Sequence, residues 1–359
     1  MTIQESGSVG SSLCTGAITG LRNSAMSLLL GLALACGAGA EPAAVVAHDL
    51  QSQSKALQRA AAAVVGLQAT AVENARSNRA LGRSRSGSGV VIGSDGLVLT
   101  IGYLILEAEQ VQLITDDDRV VPARVVGYDL ATGFGLVQAL APLKIAPAPL
   151  VQGDRIDEGE PLLVASGGEE GAVGMARLVS RRPFSGYWEY HLEDALFTAP
   201  ARSDHSGAGL FDAQGRLLGI GSLFVADAMG TDRPRLPGNM FVPVDLLRPI
   251  LAELRNRGTT SLSQRAWIGV NCIQHDGSVR VARINEDSPA DVAGLEVGDQ
   301  IVSIDGTSVS TLDMLWKMLW SGGPAERTVV LQILRSGESR TLQVYSVDRA
   351  KTLRRAEGV

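Results

Sequence analysis

Apolar positions in the middle of this chain come in short runs, not helical stripes. From about residue 63 to 242, β-type runs alternate with Gly and Asp-Gly turns. Ser88 to Ile92, the turn Ser94-Asp95-Gly96 and Leu97 to Thr100 read as a hairpin. Val111 to Thr115 reads as a strand closed by Asp116-Asp117-Asp118, and Phe211 to Ile220 as a second hairpin. Many short strands at this spacing predict a mainly β fold, either barrel or sandwich. The period changes in three places. Residues 41–62 are rich in Ala and Gln with few breakers, which suits a helix or a loose lead-in. Over Val244 to Arg257, residues Leu246, Leu247, Ile250, Leu251 and Leu254 share one helical face, and Gly258 is placed to cap it. Leu312, Leu315, Trp316, Leu319 and Trp320 mark a second amphipathic helix with Thr311 near its start.

At 359 residues the chain has room for two or three domains. The pattern divides it into 1–40, a lead-in 41–62, a β domain 63–258, a polar linker 259–264, a second domain 265–348 and a charged tail 349–359. Residues 1–40 read as a cleaved export signal: Arg22 is the positive charge, Ser27 to Ala35 the apolar core and Ala38-Gly39-Ala40 the cleavage site. Lipidation at Cys36, or an uncleaved anchor, is the other reading. Export points to the periplasm or cell surface. The net charge of −6 comes from interspersed charges, and no basic patch carries interleaved aromatics, so nucleic acid is not an expected partner. The Arg-rich stretch Arg76 to Arg85 reads as a solvated loop. Of the three cysteines, Cys14 and Cys36 fall in the export segment, and Cys272 reads as a small buried apolar residue. No Cys/His spacing suits a metal, and no cofactor is expected.

Candidate chemistry begins at Asp204-His205-Ser206-Gly207-Ala208-Gly209-Leu210, which looks like a serine nucleophile turn. Upstream stand Ser88 to Thr100 followed by Ile101-Gly102-Tyr103-Leu104-Ile105, and Val125 to Val137 containing Asp129 and Gly133. Downstream is Gly238 to Val244. Together these segments resemble the HtrA/Deg family of periplasmic serine proteases over roughly 290 residues. The resemblance implies a trypsin-like double β-barrel with Ser206 as nucleophile, Tyr103 at the catalytic His position and Gly133 at the catalytic Asp position. The spacing agrees, with 30 residues from Tyr103 to Gly133 and 73 from Gly133 to Ser206. Asp129 matches an earlier, non-catalytic acidic position.

Two of three catalytic positions therefore lack the needed chemistry. A Ser hydroxyl needs a base that takes its proton near neutral pH. Imidazole does so, whereas a Tyr phenol with a reference pKa of about 10 is a donor at pH 7. Gly133 has no side chain to orient a base. The family's oxyanion hole uses the amides of the Ser and of a Gly two residues before it, here Ser206 and Asp204. A carboxylate at Asp204 opposes a developing oxyanion. Ala208-Gly209 replace the family's Gly-Pro. Among substitute bases, His205 neighbours Ser206 but points away in extended chain, His191 lies on a separate strand, and no lysine has an obvious dyad placement, with Lys144 the one left open.

Residues 265–348 carry Ala266-Trp267-Ile268-Gly269-Val270, Ser288 to Leu295 and Val297 to Gly306. These resemble a PDZ domain of the kind that follows the HtrA protease domain. The resemblance implies binding of peptide or protein C-termini and exposed hydrophobic segments by strand addition, at Trp267, Ile268, Gly269 and Val270. It also implies a homotrimer. Two functional readings stand: a catalytically impaired envelope protein that binds peptides, and an active serine endopeptidase of periplasmic quality control using Ser206 with an unorthodox base.

Overall fold

The computed structural model describes residues 40–153, 156–169 and 171–354, with side chains from residue 51. The expected export signal, with Cys14 and Cys36, lies outside the described residues except for Ala40. No helix among the described residues is long and apolar enough to cross a membrane. The lead-in is a helix, Ala40–Ala62.

Two closed six-stranded barrels follow. The first contains β1 (Val64–Ala71), β2 (Ser84–Val91), β3 (Leu97–Ile101), β4 (Ala108–Ile114), β5 (Val120–Tyr128) and β6 (Phe134–Ala139), in spatial order β1-β2-β3-β6-β5-β4. The second contains β7 (Pro161–Ala165), β8 (Val173–Ser185), β9 (His191–Ala199), β10 (Gly209–Phe211), β11 (Leu217–Val225) and β12 (Gly238–Pro243), in order β10-β11-β12-β9-β8-β7. Both expected hairpins form, with Val90 opposite Leu99 and Leu210 opposite Gly219. Closure removes sheet edges and leaves each strand a side for the core. Leu67, Leu99, Leu136, Phe197, Phe211 and Phe241 fill that core.

The expected helix from Val244 is shorter than its apolar period. A 3-10 turn covers Val244–Leu246, and the α-helix spans only Leu251–Arg257, capped by left-handed Gly258. The cause is Pro249, which has no N–H to donate and whose ring collides with the preceding turn. The apolar face is retained, since Leu247, Ile250 and Leu254 are buried.

The C-terminal unit is one antiparallel sheet with a separate core that includes Ile268, Val270, Cys272, Leu315, Trp316 and Leu319. Its strands are β13 (Ala266–Trp267), β14 (Val270–His275), β15 (Ser278–Ile284), β16 (Gln300–Ile304), β17 (Thr307–Ser308), β18 (Arg327–Arg335) and β19 (Glu338–Asp348). The order β13-β19-β18-β16-β15-β14 leaves β14 at an edge, beside helix Leu312–Ser321. Thr311 caps that helix through its side chain, which accepts from the Met314 amide.

The linker is tied to the first barrel. The buried Asp129 carboxylate accepts from the hydroxyls of Thr260 and Ser263 and from the amide and hydroxyl of Thr132. Four donors compensate a carboxylate taken out of water, so Asp129 joins the β5–β6 turn to the segment entering the second core.

Candidate active site and peptide groove

Ser206 stands in the turn before β10, where the two barrels meet. Its carbonyl accepts from the Ser88 amide at 2.8 Å, and the following Gly207 amide donates to the Gly221 carbonyl at 2.9 Å. Tyr103 is on the single 3-10 turn Gly102–Leu104 after β3. Its hydroxyl lies 2.8 Å from Ser206 Oγ and 2.8 Å from the Ser222 carbonyl oxygen. A phenol has one proton and a carbonyl can only accept. When Tyr103 donates to Ser222, Ser206 must therefore be the donor to the phenol oxygen. Burial pushes the Tyr103 phenol up to about 12, against a smaller opposite pull from the Ser206 hydrogen bond. At pH 7 that leaves roughly one molecule in 10⁵ as phenolate.

Gly133 lies in the β5–β6 turn at φ +84°, and its carbonyl accepts from the Gly102 amide at 2.7 Å. This holds the turn that carries Tyr103 beside Gly133. A Cβ on Gly133 would come 3.3 Å from the Tyr190 hydroxyl. Tyr190 thus occupies the direction a side chain would take, and its hydroxyl donates to the Thr132 carbonyl at 2.7 Å.

The Asp204 carboxylate does not face Ser206. It accepts from Arg202 Nε at 2.9 Å and from the Ser166 hydroxyl. Burial raises its pKa, but the hydrogen bonds from Arg202 and Ser166 outweigh burial and hold it below its ordinary value. Among the described residues the Ser206 amide has no hydrogen-bond acceptor, whereas the Asp204 amide interacts with its own carboxylate. His205 Nδ1 is 2.9 Å from the Arg202 carbonyl oxygen, so it is the donor there and not the partner of Ser206. His191 lies against Ser185, Glu193 and Asp313, away from the cleft. Lys144 is exposed.

The Arg-rich stretch departs from a solvated loop. It contains the short helix Asn78–Leu81 and the start of β2, and Arg85 is buried. Its guanidinium donates to the carbonyls of Gly82, Tyr103 and Leu106 and to the Ser77 hydroxyl. An arginine can be buried only where its donors are met, and here they are met by the turn that carries Tyr103.

At the edge of the C-terminal sheet, the loop 268–270 gathers its amides around a carboxylate from the second barrel. Ile268 and Gly269 each donate to Glu189 Oε1 at 2.9 Å, and the Val270 amide adds to the same site. Gly269 has φ +86°, and a Cβ there would lie 2.2 Å from Ser288 Cβ. Trp267 is buried against this turn. The β8–β9 loop continues along β14: the Cys272 amide donates to the Tyr187 carbonyl at 2.6 Å, and Trp188 bridges Asn271 antiparallel. From the helix opposite, Trp316 Nε1 donates to the Gly186 carbonyl at 2.9 Å. Cys272 is a free, buried thiol whose pKa burial pushes up.

A cavity of about 1040 Å³ connects the regions, lined among others by Tyr103, His205, Ser222, Trp188, Tyr190 and Arg349. Sequence reasoning missed Arg85, Tyr190 and Glu189. One available signal was the run Phe184 to Tyr190, which packs four aromatics into seven residues of a chain only 4% aromatic.

The comparisons agree with this architecture. A family profile described as trypsin-like peptidase domain matches residues 87–220, and one described as PDZ domain matches residues 266–345. The chain is 25% identical over 292 residues to a protein of Halomonas elongata named probable periplasmic serine endoprotease DegP-like, covering 73% of this chain and 56% of that one. It is 25% identical over 292 residues to a serine protease HtrA-like of Staphylococcus epidermidis, covering 72% and 48%. The chain thus spans about half the length of these relatives. Among solved structures, the HtrA-type protease AlgW with a decapeptide has 20% identity and TM-score 0.51, covering 83% of this chain and 98% of that one. The serine endoprotease from Yersinia pestis has 22% identity and TM-score 0.50, covering 82% and 97%. Two closed barrels followed by a separate sheet, with both profiles in that order, give this chain a trypsin-like peptidase domain followed by a PDZ domain and make it similar to the HtrA-like serine proteases.

Proposed function

We propose that this chain is an envelope HtrA-like protein that binds peptide segments or unfolded proteins through its PDZ domain and has lost efficient peptide-bond hydrolysis. The observation that carries this reading is the 2.8 Å contact between Ser206 Oγ and the Tyr103 phenol. Acyl transfer requires the Ser proton to leave as the nucleophile attacks and to return to the leaving amine. A neutral phenol already engaged with Ser222 has no lone base strength near pH 7 to accept it. Losing such a unit lowers turnover by several orders of magnitude. Periplasmic relatives and the expected export signal support the envelope location. Peptide binding is supported by the matched PDZ profile and by the peptide-bearing AlgW structures.

One observation favours the competing reading, an active endopeptidase. The Ser206 amide has no acceptor among the described residues, and the Asp204 carboxylate is turned to Arg202, so an oxyanion has a donor available at Ser206. Casein cleavage by the purified chain and by Ser206→Ala separates the two. Equal background turnover supports the peptide-binding reading, and cleavage that disappears with Ser206→Ala overturns it.

A further inference from the structure

A peptide taken up by strand addition needs a free sheet edge, a wall for its side chains and donors for its terminal carboxylate. In this chain all three are already engaged by one segment of the second barrel. The edge strand β14 receives Tyr187 and Trp188, with Cys272 donating to the Tyr187 carbonyl and Asn271 opposite Trp188. The facing helix Leu312–Ser321 donates from Trp316 Nε1 to the Gly186 carbonyl. The amides of Ile268 and Gly269 donate to Glu189.

The direction of the segment matters as much as its contacts. An antiparallel register with Trp188 opposite Asn271 runs the segment from Tyr187 toward the start of β14, where the 268–270 loop lies. Its last member, Glu189, then presents a carboxylate to that loop. The segment is also held from behind: the Trp188 ring stacks on Tyr190 at 5.7 Å between centroids, and Lys317 on the facing helix pairs with Glu193. Glu189 itself is buried.

We infer that Tyr187-Trp188-Glu189 is the resident ligand of the PDZ groove, with the Glu189 side chain standing in for the C-terminal carboxylate of a peptide. This rests on the peptide-binding reading above and adds to it a closed state. An external chain ending in a free carboxylate competes with the loop for the same amides and the same edge, so its observed affinity is reduced by the fraction of molecules in which the loop is docked. Such a ligand must supply a carboxylate and an extended backbone together.

The test uses the full chain and two variants, Glu189→Ala and Glu189→Gln. The probe is a fluorescein-labelled peptide of residues 180–189 with a free carboxyl terminus. Its control carries Gln in place of the final Glu and an amidated end, and so has no carboxylate. Fluorescence polarisation is expected to give at least tenfold tighter binding of the free-acid probe to Glu189→Ala than to the parent chain, with no gain for the control. Glu189→Gln, which keeps a neutral acceptor for the same two amides, is expected to bind the probe no more tightly than the parent chain. In parallel, the Ile268, Gly269 and Cys272 amides should be protected from hydrogen exchange in the parent chain and exchange at least tenfold faster in Glu189→Ala, with circular dichroism unchanged. Equal probe affinities for parent and Glu189→Ala, or equal exchange at those amides, would overturn the inference while leaving peptide binding intact. If no chain binds the probe, the peptide-binding reading fails, and the exchange data still decide whether the loop occupies the groove.

Discussion

The Ser206 turn and the PDZ loop make an instructive pair. Each retains its backbone scaffold, and each is engaged by a side chain of the same polypeptide. At Ser206 the partner is Tyr103, and the impairment proposed above is a matter of side-chain identity: a phenol where the HtrA resemblance implies a base, and Gly133 where it implies an orienting carboxylate. At the PDZ loop nothing is missing. The amides of Ile268 and Gly269 have the geometry for a carboxylate and already hold one, from Glu189. Loss of function by substitution is permanent, whereas occupation by a loop is an equilibrium. We propose that the first site has been silenced and the second is gated.

The largest expected effect comes from breaking the PDZ side. Gly269→Ala adds a Cβ at a φ of +86° and 2.2 Å from Ser288 Cβ. Left-handed strain alone costs about 1–3 kcal/mol, and the overlap puts the loss at or above the upper end. Denaturant melts of the full chain should show the C-terminal unit destabilised, with the barrels unfolding as before. A uniform loss across both units would break the separation drawn here.

The next effect belongs to the barrel side. Arg85→Met removes the donors that meet the Tyr103 and Leu106 carbonyls. Leaving buried acceptors unmet costs about 1–3 kcal/mol. Chemical denaturation should show that loss, and the free-acid probe should bind unchanged. A shift in probe affinity would mean that the two sites are coupled.

The smallest effect is a pH dependence confined to the groove. Burial raises the Glu189 carboxyl to about 7, opposed by Arg349 and by the loop amides. A raised carboxyl favours the docked loop when protonated. This contribution is complete below about pH 4.5, the ordinary value, and is lost as pH rises through about 7. Probe affinity should therefore increase on the order of tenfold between pH 5.5 and pH 8. Other ionisable groups face this contact, namely Arg265, Arg349, Cys272, and the cluster of His191, Glu193, Asp313 and Lys317. Glu189→Gln isolates the carboxyl, since the pH dependence assigned to it should vanish in that variant. A dependence that persists in that variant would contradict the assignment to Glu189.

These expectations also mark what the sequence made legible. The hairpins around Ser94-Asp95-Gly96 and Ala213-Gln214-Gly215 are local signals, and so are Ser206, Tyr103, Gly133 and the 266–270 loop. Pro249 was equally legible as a helix breaker, but the apolar period around it concealed it. Arg85 was not legible, because solvent is the default for arginine and its partners are backbone carbonyls 18 and 21 positions away. Glu189 was harder still, as its donors lie 79 and 80 positions away in another folding unit. A carboxylate in a loop reads as solvated until the fold brings it to buried amides.

The central claim is that Ser206 is not an activated nucleophile, and labelling with a fluorophosphonate serine probe tests it most directly. The purified chain and Ser206→Ala should label equally, at background, across pH 6 to 9. Labelling of the parent chain that Ser206→Ala abolishes would contradict the account and show that a base operates beside Tyr103.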